Sequence, residues 1–246
     1  MNSKSWQSFD SRLKALKQHL QLSDLALTLA NKKAAGLAGN GQKIAEVLGG
    51  SLDTHMQLNI PNEKRDISRA FITSRNKLHE QAIIELYGEF SNYVANVISE
   101  IEHKNPMRFL SLLSENSENG IKYKDIITIG NYNALIGEMA KRVFRTLENK
   151  RSTKDLLAAF IRNTSITIDN EILEKALVYL EIRHLIIHNN TKADAKFKGM
   201  ARHDIVSINQ RNQKINLNFT VTNEAINAIF RLCKKIDDEI VDKDLI

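Results

Sequence analysis

One stretch of the chain limits the fold more than any other. Residues 62–104 hold no proline and a single glycine, Gly88. Proline removes a helical hydrogen bond and glycine gives up the most backbone entropy, so little here can interrupt a helix. Ile67, Phe71, Leu78, Ala82, Ile83, Leu86, Phe90, Tyr93, Val94, Val97, Ile98 and Ile101 recur at helical spacing. Pro61 stands where the first turn of a helix tolerates it. The expectation is one very long helix, or two meeting at a kink near residues 74–76.

The flanking segments also read as helices. Trp6, Phe9, Leu13, Leu16 and Leu20 give an amphipathic first helix, and Ser23-Asp24 can cap a second one to about Ala35. The glycine-rich run from Gly36 to Lys43 is not a phosphate loop: a Gln precedes Lys43, and Ile44 stands where Ser or Thr would hold magnesium. It reads as a loop before a short helix to Leu48. Asn105-Pro106 opens a short helix through Phe109, Leu110 and Leu113, and 114–120 is a polar loop. Residues 121–129 fit a strand or an irregular segment equally. Asn133–Asn149 is helical, and Thr153 caps a helix to about Arg162. Residues 205–208 and 215–219 flank a polar turn, and the second run alternates strictly, so a small β-hairpin is expected. Thr222 or Asn223 caps a last helix striped by Ile226, Ile229, Phe230, Cys233, Ile236 and Ile240. The fold class is therefore all-α with one minor hairpin. Residues 1–60 form an N-terminal helical extension to a helical domain over 61–246.

Composition removes several function classes. A single cysteine, Cys233, rules out a disulfide framework or a Cys-based zinc site within one chain and fits a reducing cytosol. No segment has the apolar core of a signal peptide or the roughly 20 apolar residues of a membrane span. A soluble, cytoplasmic protein with no membrane partner is expected. The formal net charge of +6 agrees with an anionic partner such as nucleic acid. No Ser-His-Asp order, dinucleotide fingerprint or kinase set is visible.

The chemistry-bearing stretch is Leu180–Asn190, which closes an apolar helix capped by Asp169. Ile172, Leu173, Ala176, Leu177 and Leu180 form its stripe, and Arg183, His184 and Ile187 continue it. A guanidinium and an imidazole are thus expected on a buried face, where an unpaired charge is costly. A carboxylate (Glu80, Glu85 or Glu89), a partner chain or an anionic ligand should compensate. Arg183 and His188 are separated by about 7.5 Å of rise and roughly 140° of rotation, so they converge only across one helix edge. His184 and His188 share a face. Asn189-Asn190 ends the helix, since Asn tolerates the left-handed conformation.

An Arg, a polar residue, three more residues and a His resembles the signature of the HEPN superfamily of metal-independent ribonucleases. The flanks, Glu181 to Asn189 with Asp194 beyond, resemble its RiboL-PSP-HEPN group, over roughly residues 65–242. The resemblance implies a HEPN-like bundle whose long preceding helix packs on the motif helix, and a homodimer with a composite active site. It also implies a toxin or phage-defence effector that cuts cellular RNA, with an antitoxin or regulatory partner possible.

The chemistry agrees with the residue types. RNA carries its own nucleophile, the 2′-hydroxyl. A histidine can move the proton, and an arginine fork can hold phosphate oxygens as charge develops. In this reading Arg183 clamps the phosphate and His188 is general base or acid. His184 supports it, and Asn189 bonds near the phosphate. Lys192, Lys196, Lys198 and Arg202, with His203, form an RNA-contacting rim. No cofactor or metal is needed. A zinc site on His184 and His188 would lack the Glu of His-Glu-x-x-His and has only the distant His203 as a third ligand. The alternatives are a HEPN-like module that binds nucleotide or RNA without cutting, and a structural dimerisation module.

Overall fold

The computed structural model describes residues 2–37, 64–109, 112, 123–150, 152–201 and 206–246. The expectations for the glycine-rich run beyond Leu37, the helix to Leu48, Pro61, the 114–120 loop, Arg202 and His203 lie outside the described residues. The described residues form an all-α fold of eight helices with no strand: α1 (Lys4–Leu37), α2 (Lys64–Lys104), α3 (Tyr123–Ile129), α4 (Tyr132–Glu148), α5 (Thr153–Thr164), α6 (Asn170–Asn189), α7 (Ala195–Met200) and α8 (Phe219–Asp242).

The proline-free run forms one continuous helix of 41 residues, and no second helix begins near 74–76. Its length lets α2 pack against α1, α4, α6 and α8 at once. Ala82, Ile83, Leu86, Phe90, Tyr93, Val94, Val97, Ile98 and Ile101 are all buried, and at helical spacing they share one broad face of α2. Trp6, Phe9, Leu13, Leu16 and Leu20 of α1 join the same core, as do Ile226, Ile229, Cys233, Ile236 and Ile240 of α8. The start of α1 is tied down by two carboxylates. Ser3 bonds Asp237 of α8, and the Ser5 amide donates to Glu100 of α2 at 2.7 Å. Tyr93 donates to the Cys233 carbonyl at 2.9 Å. Burial pushes the Cys233 thiol well up in pKa, so it stays protonated and inert.

Several expectations are corrected. Two helices were expected before residue 36, but α1 is one helix of 34 residues. Asp24 does not cap: its carboxylate accepts Arg75 Nε and Nη2 of α2 at 2.9 and 3.1 Å and meets His79 Nε2 at 3.2 Å. With that side chain held by α2, nothing halts the helix. Residues from Tyr123 are helical rather than extended. Ser152, not Thr153, caps α5, accepting from the Asp155 amide at 3.2 Å. Asn218 caps α8, one turn before Thr222, which is fully buried and donates to the Asn218 carbonyl.

The expected hairpin is reduced, among the described residues, to isolated antiparallel bridges, Ile208 with Ile215 and Lys192 with Lys214. The alternating run has other work. Leu217 enters the core, Asn218 becomes the cap and Phe219 opens α8, so no residues remain to extend a ladder. No helix of the described residues is long and apolar enough to cross a membrane.

Candidate functional site

α6 starts as its sequence dictates. Asp169 accepts the Glu171 amide at 2.7 Å, satisfying one orphan donor of the first turn. Its end is abrupt. Asn190 and Thr191 both take left-handed backbone, with φ of 49° and 64°. For a β-branched residue that conformation is strained, by about 1–3 kcal/mol. Thr191 is held there by its amide bonding the Leu185 carbonyl at 2.9 Å and its carbonyl accepting the Ile215 amide at 2.9 Å. The chain therefore leaves the helix axis directly after the candidate residues.

The stripe that was expected to stay buried turns outward. Val178, Ile182 and Leu185 are the inner edge of the last turns, whereas Arg183 is half-buried and His184 and His188 are exposed. Ile187 is 44% exposed. The middle of α6 is enclosed on nearly all sides, from Ala176 to Ile182, but its final turns keep only one edge on the core. The anticipated cost of burying a guanidinium and an imidazole therefore does not arise. Nor do the expected carboxylates reach Arg183. Glu80 pairs with Lys77 at 2.5 Å, Glu89 pairs with Arg12 at 3.4 Å and Glu85 is exposed. Arg183 instead lays its guanidinium over the Tyr87 ring of α2, 4.9 Å from the centroid.

Tyr87, Arg183 and His184 line one wall of a cleft of about 170 Å³. Lys150, Ser152 and Thr153, at the start of α5, line another, and Glu148, Glu181 and Lys196 complete its polar rim. Glu181 is nearly buried and accepts Lys196 at 2.8 Å, which partly neutralises that lysine. Among the described residues Arg183 meets no carboxylate, and its side chain lines the cleft beside Tyr87. The His184 and His188 rings lie 4.7 Å apart, tilted by 43°. His184 thus reaches both the cleft and His188, which stands outside it. No hydrogen bond within the described residues orients either ring.

The remaining candidates divide. Lys196 lines the cleft; Lys192 and Lys198 are exposed and do not, and Arg202 is outside the described residues. The Asn189 amide donates to the Lys192 carbonyl at 3.2 Å, so it braces the loop. No group of three or more His, Cys, Asp or Glu side chains among the described residues could hold a metal ion. Sequence reasoning missed Tyr87, Lys150, Ser152, Thr153 and Glu181. Glu181 was visible as a charge inside an apolar run. The others depend on how α2 and α5 are placed against α6, for which spacing along one helix gives no signal.

A second constellation was also missed. Asp24, His79 and Thr222 form a carboxylate–imidazole–hydroxyl chain, with Thr222 Oγ1 3.3 Å from His79 Nδ1. Its order imitates a nucleophile triad, but His79 is 1% exposed and Thr222 is fully buried. Burial lowers the His79 pKa, and Asp24 opposes that shift. This chain ties α1, α2 and α8 together rather than meeting a substrate. Comparison with protein-family models, with curated proteins and with solved structures finds no match for this chain.

Proposed function

We propose that the chain is a HEPN-type endoribonuclease that cuts RNA without a metal. The observation that carries the reading is Arg183: a guanidinium set over Tyr87 at a polar cleft, with no carboxylate on it among the described residues and a histidine pair beside it. In the reaction His188 takes the proton of a 2′-hydroxyl. The 2′-oxygen forms a bond to phosphorus, and the bond to the 5′-oxygen breaks. The leaving 5′-oxygen takes a proton from a second imidazole. The products are a 2′,3′-cyclic phosphate and a 5′-hydroxyl, and DNA is inert because it lacks the nucleophile. Arg183, with Lys150 and Lys196 nearby, stabilises the extra charge on the phosphorane. His184 bridges the cleft to His188. The second imidazole comes from a second copy of the chain, making the working unit a homodimer. The role that fits is a cytoplasmic toxin or phage-defence effector restrained by a partner.

The test is cleavage of single-stranded RNA in excess chelator. His188→Ala should remove activity, typically by ~10²-fold or more, while the fold persists. Arg183→Ala should do likewise. Undiminished cleavage by either variant refutes the assignment. One observation favours a second reading, an RNA-binding module that does not cut. Catalytic histidines are normally oriented through one ring nitrogen, and neither ring here has such a bond within the described residues. RNA affinity without turnover would select that reading.

A further inference from the structure

A second cleft, of about 390 Å³, lies beyond the end of α6. It falls within the size range of small-ligand pockets. Its wall includes Asn76 and Glu80 of α2, Thr191, Asn212, Lys214 and Asn216. Its chemistry differs from that of the Arg183 cleft. Its charged lining groups among the described residues are Glu80 and Lys214, which offset each other, and the rest are amides, hydroxyls and a few aliphatic edges. Asn209 and Asn212 use their side-chain oxygens to accept the Arg211 and Lys214 amides at 2.9 and 3.0 Å, which fixes both amide groups. Asn76 and Asn216 are exposed, and no bond within the described residues occupies their amides. Such a wall matches a neutral group with donors and acceptors along one edge, as a nucleobase has. It does not match a phosphate.

The two clefts share one surface. On α2, Glu80, Ile84 and Tyr87 succeed one another at four and three residues, so they lie on one face across about 10 Å. On α6, Arg183 and Ile187 share a face, about 6 Å apart along the axis, and Thr191 follows just beyond the end of the helix. Tyr87 lies against Arg183 and Glu80 lines the same cleft as Thr191, so the two rows run antiparallel, side by side. At their midpoints Ile84 and Ile187 are 39% and 44% exposed. The surface therefore reads as a cationic cleft, then an apolar pair, then an amide-lined cleft. Lys214 Nζ lies 3.4 Å from Asn190 Oδ1, which ties the far cleft to the end of the motif helix.

We propose that this seam is a track for single-stranded RNA. A phosphate sits at Arg183, a ribose or base face lies on Ile84 and Ile187, and the neighbouring base enters the amide cleft. Paired RNA cannot use it, because base edges must be free to reach the amides. The track rests on the ribonuclease reading for its substrate class, but it is tested by binding.

The probes are a 2′-O-methyl tetranucleotide, which lacks the nucleophile, and a single nucleoside monophosphate, which fills only the Arg183 cleft. Affinities are read by calorimetry at fixed salt. The Asn76→Ala/Asn216→Ala double variant should weaken tetranucleotide binding about tenfold and leave the monophosphate unchanged. Ile84→Glu should give the same pattern. Equal losses for both probes, or none for either, overturn the track. So does an Ile84→Glu variant that breaks up an assembly of the chain with RNA affinity intact, since that face then belongs to a second copy. A wild-type protein that binds the tetranucleotide but never cuts natural RNA keeps the track and removes the nuclease. Cleavage with unaltered KM in the double variant keeps the nuclease and removes the track.

Discussion

Glu102 sits in the last turns of α2 with none of its surface exposed, and among the described residues neither carboxylate oxygen has a hydrogen-bond partner. Burial alone pushes its pKa up from 4.5 to about 7. A carboxylate without a partner is held neutral because its charged form has lost water and gained nothing. The folded protein therefore binds a proton more tightly than the unfolded chain does. Between about pH 4.5 and 7 the native state holds more protons, so stability falls as pH rises through this window and levels off above it. A shift of this size, at about 1.4 kcal/mol per unit, corresponds to about 3 kcal/mol lost across the window.

Glu102→Gln isolates that contribution. An amide of the same shape carries the same packing and does not titrate. Its own unsatisfied polar atoms cost a pH-independent amount, about 1–3 kcal/mol, which cancels when two pH values are compared. Urea unfolding of both proteins at pH 4.5 and pH 8 gives four stabilities. The variant should gain on the wild type by about 3 kcal/mol from the lower pH to the higher. All other titrating groups are common to both proteins and drop out. Parallel pH curves would refute the reasoning, because they would mean that Glu102 reaches water and ionises in its ordinary range.

Two further outcomes follow from particular contacts. Asp24→Ala should destabilise by about 2–3 kcal/mol in urea unfolding, because Arg75 loses both its bonds and buried His79 loses its acceptor; a change within 0.5 kcal/mol would show that the carboxylate is dispensable. Tyr87→Leu should lower kcat/KM on RNA about three- to fivefold, while Tyr87→Phe keeps the ring under Arg183 and most of the rate; equal losses from both would mean that the ring does not position the guanidinium.

Much of the fold could be read from spacing because spacing is what encodes it. Residues 64–104 form a helix for want of anything to break it, and Asp169 and Asn190 bound α6 because a short side chain and a left-handed residue are what helix ends require. Errors arose where a side chain with local meaning found a distant partner. Asp24 reads as a cap but is taken by Arg75 and His79, 51 and 55 residues away. Thr222 reads as a cap but is enclosed between helices, and Asn218 does the capping. The site was legible only on its own helix. Extending the α6 stripe through Arg183 and His184 assumed that the core follows the helix to its end. Where the core stops is decided by the other helices, and no periodicity along residues 170–190 records it.

The histidine pair bears on whether one chain can complete the proposed reaction alone. Displacement at phosphorus is in line, with the entering 2′-oxygen and the departing 5′-oxygen on opposite sides. His184 and His188 lie in contact at 4.7 Å on one helix face, so both approach a bound phosphate from the same side. One chain can therefore serve the nucleophile or the leaving group but not both. A two-fold axis beside α6 would bring His188 of a second copy to the other side, because an isologous contact presents the same residue from both directions. The consequence is measurable by mixing. With a tenfold excess of His188→Ala chains and full subunit exchange, most wild-type chains pair with a partner lacking the second imidazole. Activity per wild-type chain should then fall to about a tenth. A site completed within one chain would keep its activity in that mixture, and the dimeric mechanism would have to be given up.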